Sequence, residues 1–324
     1  MATKKLLRII SVITAIAILL LSVPLTGKAA PNPGITSPNS TIGYWYPVTS
    51  PTNVALSEVS ITPGSNGLDG WAVGSEGTFI HWDGSDWSVV AGPTGDFYAV
   101  AMVSENDGWA TNHIEYNQGR IYHWDGTTWD EASGDVAFQD SLAVVPGSNG
   151  TDIWSVGWWG QIYRWDGSNW SFSDSTNLLM LSGVDALTAS DAWAVGGISG
   201  ETEGTLLHWD GTEWVNVPPP ATGYKYYAVD MVSANNVWAV GGNGTIIHWN
   251  GTTWSQVASP TTDTLVSISM VPGSNGTAGW AVGGNGTILY WNGSVWTITN
   301  SPTTNYLTSI EMVSETDGDR KSVV

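Results

Sequence analysis

A tryptophan followed by Asp-Gly or Asn-Gly recurs along the chain at nearly constant spacing, and this repeat constrains the fold more than any other feature. Successive copies are 42, 41, 44, 40 and 42 residues apart. A period in this range is typical of a β-propeller or a solenoid, in which each repeat forms one supersecondary unit. The repeated tryptophans are Trp82, Trp124, Trp165, Trp209, Trp249 and Trp291.

The fifth unit shows the pattern most clearly and divides into four short strands. Residues 227–232 and their counterparts 265–271 in the next unit alternate in character and are rich in β-branched residues, which favours a strand. Four short strands in about 42 residues is the arrangement of a propeller blade. We therefore predict an all-β fold, a β-propeller with six complete four-stranded antiparallel blades. The strands predicted in the fifth unit are residues 227–232, 238–241, 245–249 and 252–257.

The hairpin between the last two strands predicts how the tryptophans pack. Asn250-Gly251 is a dipeptide typical of a two-residue type I′ turn. Such a turn pairs Trp249 with Thr252, and Ile247 with Trp254, so that both tryptophans lie on one face of the sheet. We expect these rings to fill the space between blades, where each buried indole contributes about 2–3 kcal/mol.

The two ends of the repeat region complement each other. Residues 45–52 align without a gap on residues 254–261, so residues 45–49 are a predicted outer strand, and residues 306–314 are a predicted inner strand. Pairing them in one sheet would hide the sheet edges and close a ring. We therefore predict a propeller over residues 44–318, with a partial seventh blade and seven blades in the full-length protein.

The last six residues, 319–324, match no other repeat. Asp-Arg-Lys-Ser-Val-Val is the in-frame translation of a common short-read sequencing adapter. We expect this tail to be non-native and the propeller to be truncated at its C-terminal end.

The first 43 residues differ in composition from the repeats. Lys4, Lys5 and Arg8 precede an apolar stretch over 9–25, and small residues at 27 and 29 suit cleavage, which predicts a signal peptide over 1–29. An uncleaved membrane anchor is the alternative, although the apolar run is short for a span. Residues 30–43 are a predicted flexible leader. We expect a secreted, extracellular or cell-surface protein, periplasmic in a Gram-negative host, with membrane contact only through this N-terminal segment.

Charge and cysteine content narrow the range of partners. The formal net charge is -20, from 29 acidic and 9 basic residues, so the surface repels phosphate backbones and nucleic acid is not an expected partner. The absence of cysteine rules out both a disulfide scaffold and thiol chemistry.

The consensus unit, DGWAVGxxGTIxHWDGxxWxxVxSPT, resembles the exported propellers related to photosystem II assembly factors and to bacterial neuraminidase (Asp-box) repeats. The resemblance covers residues 45–318 and implies the propeller fold, with assembly chaperone as one implied role. The sequence departs from the Asp-box pattern at 125–129, where no residue separates Asp from Gly. Between the predicted signal peptide and the predicted non-native tail it has only Arg120 and Arg164, where sialidases use three arginines, and it lacks the basic patches of the assembly factors. A WD40 assignment is rejected because the Gly-His partner of that repeat is absent.

Residues that the repeat does not explain are the candidates for function. Four histidines share one strand position (His81, His123, His208 and His248), and four aspartates share one turn (Asp83, Asp125, Asp166 and Asp210), so both sets are interpreted as structural. The remaining residues cluster in turns of neighbouring units that share one rim, where repeat proteins usually bind. The predicted ligand-binding residues are His113, Glu115, Tyr116, Arg120, Trp158, Trp159, Glu201, Glu203, Tyr224, Lys225 and Tyr226.

These residues suit a non-catalytic binding or scaffold module for a glycan, peptide or protein. Exposed aromatic rings supply stacking surface, and Arg120 or Glu115 would supply polar anchors. A structural alternative is that Trp158 packs on the next blade and the longer loops are merely tolerated.

No catalytic residue, cofactor or metal is assigned from the sequence. His113 and Glu115 match no known catalytic constellation. The Pro-Gly-Ser-Asn-Gly loop, at 63–67, 146–150 and 272–276, is interpreted as a turn, with a calcium site as the alternative. A glycoside-acting hydrolase or lyase is the alternative function, and it needs two carboxylates about 5–9 Å apart. The inner strands offer Glu58, Asp185, Asp230 and Glu311.

Overall fold

Six consecutive four-stranded sheets make up most of the chain. The computed structural model describes residues 19–20, 45, 47–114, 118–134, 136–175, 180–198, 204–313 and 321–323. In each of the six sheets the strands follow one another in sequence order and pair antiparallel, which confirms the predicted blade. Most of the predicted signal peptide, leader and tail, together with Glu115, Tyr116, Glu201 and Glu203, lies outside the described residues.

The blades are numbered 1 to 6 in chain order, and the four strands of each are given from first to fourth. Blade 1 has Leu56–Ile61, Gly70–Gly74, Thr78–Trp82 and Trp87–Val90. Blade 2 has Asp96–Ser104, Asp107–His113, Gly119–Trp124 and Trp129–Glu131. Blade 3 has Gln139–Val144, Ile153–Gly157, Gln161–Trp165 and Trp170–Ser175. Blade 4 has Met180–Thr188, Asp191–Gly197, Gly204–Trp209 and Trp214–Asn216. Blade 5 has Tyr226–Ser233, Asn236–Gly241, Ile246–Trp249 and Trp254–Val257. Blade 6 has Leu265–Met270, Gly279–Gly283, Ile288–Trp291 and Trp296–Ile298.

The first strands of successive blades lie side by side and surround a central axis. The ring closes through a short strand, Ile310–Met312, which contacts the first strands of both blade 6 and blade 1. Ile310 donates its backbone N–H to Oγ of Ser267 at 3.1 Å, and Val59 donates to Oγ of Ser309 at 3.4 Å. The units therefore form a closed ring, as predicted, and not an open stack.

A further sheet of short segments lies between blade 6 and blade 1. Its strand order is Pro47–Val48, Leu19–Leu20, Lys321–Val323 and Ile310–Met312. The two edge strands are those predicted to share a sheet. The two middle strands come from the predicted signal peptide and tail, and no segment exceeds three residues, so a full seventh blade stays a prediction.

Tryptophans interlock at each interface between consecutive blades, which confirms the expectation that these rings fill the space between blades. The second-strand tryptophan of one blade contacts both tryptophans of the next blade's outer hairpin, with ring centroids 4.8 to 5.8 Å apart. Trp45 takes the same place against Trp280 at 5.2 Å, which fits its predicted role in an outer strand. The interlocked sets are Trp71 with Trp124 and Trp129, Trp109 with Trp165 and Trp170, Trp154 with Trp209 and Trp214, Trp193 with Trp249 and Trp254, and Trp238 with Trp291 and Trp296.

The predicted two-residue turn in the outer hairpin is wrong. Trp249 lies directly opposite Trp254, so the loop between them has four residues. Oδ1 of Asn250 accepts the backbone N–H groups of Thr252 and Thr253, both at 2.9 Å, and this side-chain bridge holds the wider loop. Only Gly251 of the dipeptide has a positive φ. The same-face conclusion still holds, because directly opposed residues share a face.

The repeated histidines belong to a structural cluster, which confirms their interpretation as strand residues. Nε2 of His208 lies 2.8 Å from Oδ1 of Asp191, and the imidazole stacks on Trp193 at 4.6 Å. Blade 6 lacks both polar partners and has Ala278 with Tyr290 in their place. The same place is filled in the other blades by Asp69 with His81, Asp107 with His123, Asp152 with Arg164 and Asn236 with His248.

The paired change in blade 6 gives a double-mutant test. We expect Asp191→Ala to lower the free energy of unfolding by about 1–2 kcal/mol, because it leaves the imidazole of His208 without its acceptor. Adding His208→Tyr is expected to restore most of this loss, since Tyr beside Ala packs in blade 6. Urea unfolding of both single variants and the double variant measures the coupling. Strictly additive losses would contradict the cluster as a unit.

Candidate functional site

Every blade has a bulge at the same point of its first strand, and the bulged residues surround one mouth of the central axis. In blade 2, Phe97 pairs with Asn112 and Ala99 pairs with Thr111, so Tyr98 is skipped. The extra residue is released from the ladder, which bends the strand and re-aims its side chain. The bulged residues of blades 1 to 6 are Ser57, Tyr98, Asp140, Ser182, Tyr227 and Val266.

Aromatic rings from blades 2 and 3 form a continuous stack at this mouth. The imidazole of His113 stacks on Tyr98 with centroids 3.8 Å apart and on Phe138 at 4.0 Å. Phe138 meets Trp158 edge-on at 5.1 Å. We refer to Tyr98, His113, Phe138, Asp140, Trp158, Lys225 and Tyr227 as the mouth cluster.

His113 and Trp158 occupy equivalent places, each four residues after the second-strand tryptophan of its blade. Blades 1 and 5 have Ser75 and Gly242 there. In blade 2 the second strand extends to His113, and in blade 3 Trp158 opens a tight turn. Two bulky rings therefore stand where the repeat otherwise places small residues, and they meet edge-on with centroids 6.3 Å apart.

A carboxylate and a lysine add charge to the mouth cluster. Oδ1 of Asp140 lies 3.2 Å from Nε2 of His113, which is an ion-pair contact when the imidazole is protonated. The geometry at Nε2 does not meet the criteria of a hydrogen bond. The Lys225 ammonium lies 4.9 Å from the ring centroid of Tyr227. Burial lowers the pKa of Lys225, and the charge of Asp140 acts in the opposite direction. Burial, with Asp96 and Asp140 nearby, raises the pKa of Tyr98.

The other candidate residues that the structure describes lie outside the mouth cluster. Trp159 is 47% exposed and has a φ of 62°, at a turn position filled by Asn243 in blade 5. Tyr224 is 41% exposed. The guanidinium of Arg120 pairs with the Glu131 carboxylate at 2.8 Å on the outer hairpin.

The expectation that Tyr226 offers stacking surface is wrong. Its side chain is fully buried, and its hydroxyl lies 3.1 Å from Oγ1 of Thr222. Tyr226 occupies the position that Leu56 and Leu265 fill in blades 1 and 6, which faces the packed interior. The neighbouring Tyr227 is the residue that reaches the mouth.

Sequence reasoning missed four members of the mouth cluster: Tyr98, Phe138, Asp140 and Tyr227. All four lie within or next to first strands. Residues there fit the repeat pattern, so they were not among the residues selected because the repeat does not explain them. An alignment of the first strands shows that Ser or Val fills the position of Tyr98, Asp140 and Tyr227 in other blades, but only the strand register shows that this position is bulged.

The inner-strand carboxyls, which the glycoside alternative requires, bind backbone groups of the next blade. Glu58 accepts the N–H of Val100 at 2.9 Å, and Asp185 accepts that of Met231 at 2.7 Å. Asp230 and Glu311 accept the N–H groups of Met270 and Ile61 in the same way. Each carboxyl therefore satisfies an edge-strand N–H that would otherwise lack a partner, which is a structural role.

The Pro-Gly-Ser-Asn-Gly loops lie on the opposite rim, between first and second strands. Gly64, Asn66 and Gly67 all have positive φ, with values of 80°, 53° and 75°. Glycine and asparagine tolerate this conformation best, so turn geometry accounts for the recurring motif. Within the described ranges, no three His, Asp or Glu side chains converge as a metal site would need.

Six interlocked four-stranded blades around an axis, with an aromatic cluster at one mouth, define a β-propeller with a candidate binding face. No family model and no curated protein matches the sequence significantly. Solved structures do match the fold. A structure of YCF48 bound to D1 peptide is similar at TM-score 0.59 and 18% identity, over 82% of this chain and 88% of that chain.

Two further solved structures show the same likeness. YCF48 from Cyanidioschyzon merolae is similar at TM-score 0.63 and 15% identity, over 85% of this chain and 96% of that chain. The WD40 repeats of RRP9 are similar at TM-score 0.65 and 10% identity, over 85% and 95% of the two chains. At these identities the likeness establishes the propeller fold alone. Among the residues described, no helix has the length and apolar character needed to cross a bilayer.

Proposed function

We propose that this chain is an exported, non-catalytic binding module that takes up a peptide segment of a partner protein at the mouth cluster. The observation that carries the proposal is the stack of Tyr98, His113, Phe138 and Trp158 at the end of an otherwise regular ring. Rigid aromatic rings supply large contact area at a small cost in side-chain entropy. A rim that departs from its own repeat is where such folds usually bind.

The solved neighbours support a peptide as the ligand. YCF48 is seen bound to a D1 peptide, so a propeller of similar shape accommodates one. Export rests on the signal-like segment over 1–29, and an assembly-chaperone role rests on the family resemblance alone. Each inner-strand carboxyl accepts a backbone N–H group of the next blade, which supports a structural role for these groups over the glycoside-acting alternative.

A glycan is the second candidate ligand, and one observation favours it. Trp159 is 47% exposed at a turn tip with positive φ, and Tyr224 is 41% exposed on the same rim. Strained, exposed aromatic residues are typical of binding surfaces. This ligand would stack on the turn tip and leave the mouth cluster empty.

Peptide binding is tested by selecting ligands from a library of random heptapeptides with free C-termini. For a selected peptide, we expect Tyr98→Ala and Trp158→Ala to weaken binding at least tenfold, about 1.4 kcal/mol or more each, because both rings would lie at the centre of the interface. Fluorescence polarisation measures the affinity, and thermal melts verify that the variants are folded.

Trp159→Ala is the matched control. Under the peptide proposal this variant keeps peptide affinity, whereas under the glycan alternative it loses binding on a glycan array. A library that yields no specific peptide, or Tyr98→Ala and Trp158→Ala variants that bind as tightly as the wild type, would reject the proposed function.

A further inference from the structure

Lys225 differs from the other two basic side chains of the described blades. Arg164 forms two hydrogen bonds to the Asp152 carboxylate, both at 2.7 Å, and Arg120 pairs with Glu131. The Lys225 ammonium makes no hydrogen bond and no ion pair with any residue that the structure describes, although the residue is only 7% exposed. Among the residues described, it is therefore a buried cation without a counter-ion in contact.

Such a group costs stability instead of adding to it. Taking an ammonium out of water is unfavourable unless a partner compensates, and the face of Tyr227 at 4.9 Å compensates only in part. The fold does not need a lysine here, because the residue before the first-strand core position differs in every other blade: it is Ala55, Asp96, Phe138, Met180 or Thr264. The cost in stability at this position is an argument for a role outside folding.

The ammonium lies against Tyr227, the bulged residue that blade 5 contributes to the mouth. Lys225 precedes the first strand of blade 5, whereas Asp140, whose charge acts on it, lies on the first strand of blade 3. The two residues are separated by the whole of blade 4, so they approach each other only across the mouth. Asp140 lies 3.2 Å from His113, and the Lys225 ammonium is left for another anion.

We infer that Lys225 is the anchor for a carboxylate of the bound peptide, with the flanking peptide residues stacked on the aromatic rings of the mouth cluster. An ammonium in a mostly desolvated mouth binds a carboxylate more strongly than a surface lysine does. Because the whole chain has a net charge of -20, long-range fields repel an acidic ligand and only a local cation attracts it. The inference rests on the proposed function.

The carboxylate has two sources, an Asp or Glu side chain or the peptide C-terminus, and one set of peptides separates them. Selected heptapeptides are resynthesised with each Asp or Glu changed to its amide, and separately with an amidated C-terminus. We expect one of these changes to lower wild-type affinity at least tenfold. With Lys225→Met the same change is expected to have no further effect, and Lys225→Arg is expected to keep most of the affinity.

The melting temperature gives a second test, because replacing a lysine that has a structural role would lower it. Lys225→Met is expected to keep or raise the melting temperature, because methionine fills similar space without a charge. A melting temperature that falls as far as for a core substitution would overturn the inference, and Lys225→Gln repeats the test with a different side chain. Peptides that need Tyr98 and Trp158 but show no carboxylate dependence would reject the role of Lys225 and leave the peptide-binding function intact. Failure to select any peptide would instead reject the proposed function itself.

Discussion

Replacing Trp193 by alanine is expected to lower the free energy of unfolding by about 3–5 kcal/mol. Trp193 is 1% exposed, and its ring contacts Trp249 and Trp254 of the next blade, both at 5.1 Å, as well as His208 of its own blade at 4.6 Å. Removing the indole opens a cavity at the interface between blades 4 and 5. The surrounding sheets are hydrogen-bonded ladders and cannot collapse fully into that space, so the cost lies well above that of a surface change.

The control is the same substitution at Trp159, which is 47% exposed at a turn tip. Trp159→Ala is expected to change stability by about 0.5 kcal/mol or less, as surface substitutions usually do. Urea unfolding followed by far-UV circular dichroism measures both variants on one scale. Equal losses for Trp193→Ala and Trp159→Ala would show that the interlocked tryptophans do not hold the ring together.

The blades could be predicted from sequence because the two tryptophans of the outer hairpin are five residues apart in every unit, and the hairpins recur every 40 to 44 residues. The hairpin register could not, and Asn250 shows why. The dipeptide Asn-Gly favours a two-residue turn, but the side-chain oxygen of Asn250 binds two N–H groups of a four-residue loop instead. A side chain that replaces backbone hydrogen bonds leaves no trace in hydrophobic periodicity.

The candidate site was only partly predictable for a related reason. His113, Trp158 and Lys225 stand out because they replace small or apolar residues of the repeat. Asp140 and Tyr98 do not stand out, since their position depends on a bulge that is visible only in the strand register. Without the bulge, sequence numbering alone cannot tell which residue of a first strand points into the mouth.

The carboxyls of the central axis make the ring sensitive to alkaline pH. Burial raises the pKa of Glu58 to about 8, with the nearby charge of Glu311 acting in the same direction. Burial likewise raises the pKa of Glu311 and of Asp230 to about 8, and that of Asp185 to about 6. Unfolded, these groups have values near 4. The folded ring therefore binds more protons than the unfolded chain between about pH 4 and pH 8.

Because the folded ring binds more protons than the unfolded chain, its free energy of unfolding falls as the pH rises. The stabilising contribution is fully present below the unfolded pKa near 4 and is lost as the pH rises through about 8, where the folded carboxyls ionise. Because water reaches the half-buried side chains, we expect a total loss of about 2–4 kcal/mol between pH 5 and pH 9, less than complete burial would give. Urea unfolding at a series of pH values measures the slope.

Glu58→Gln separates the effect of the carboxyls at the central axis from the general charge repulsion within an acidic chain. The glutamine amide oxygen can still accept the N–H of Val100, which Glu58 accepts at 2.9 Å, but it carries no charge. The variant is therefore expected to match the wild type near pH 5 and to be more stable by about 1–2 kcal/mol at pH 9. Glu213→Gln removes the same charge from an exposed position in a hairpin loop and should follow the wild-type curve. If both variants shift the alkaline limb equally, the loss comes from overall charge and the buried carboxyls do not cause it.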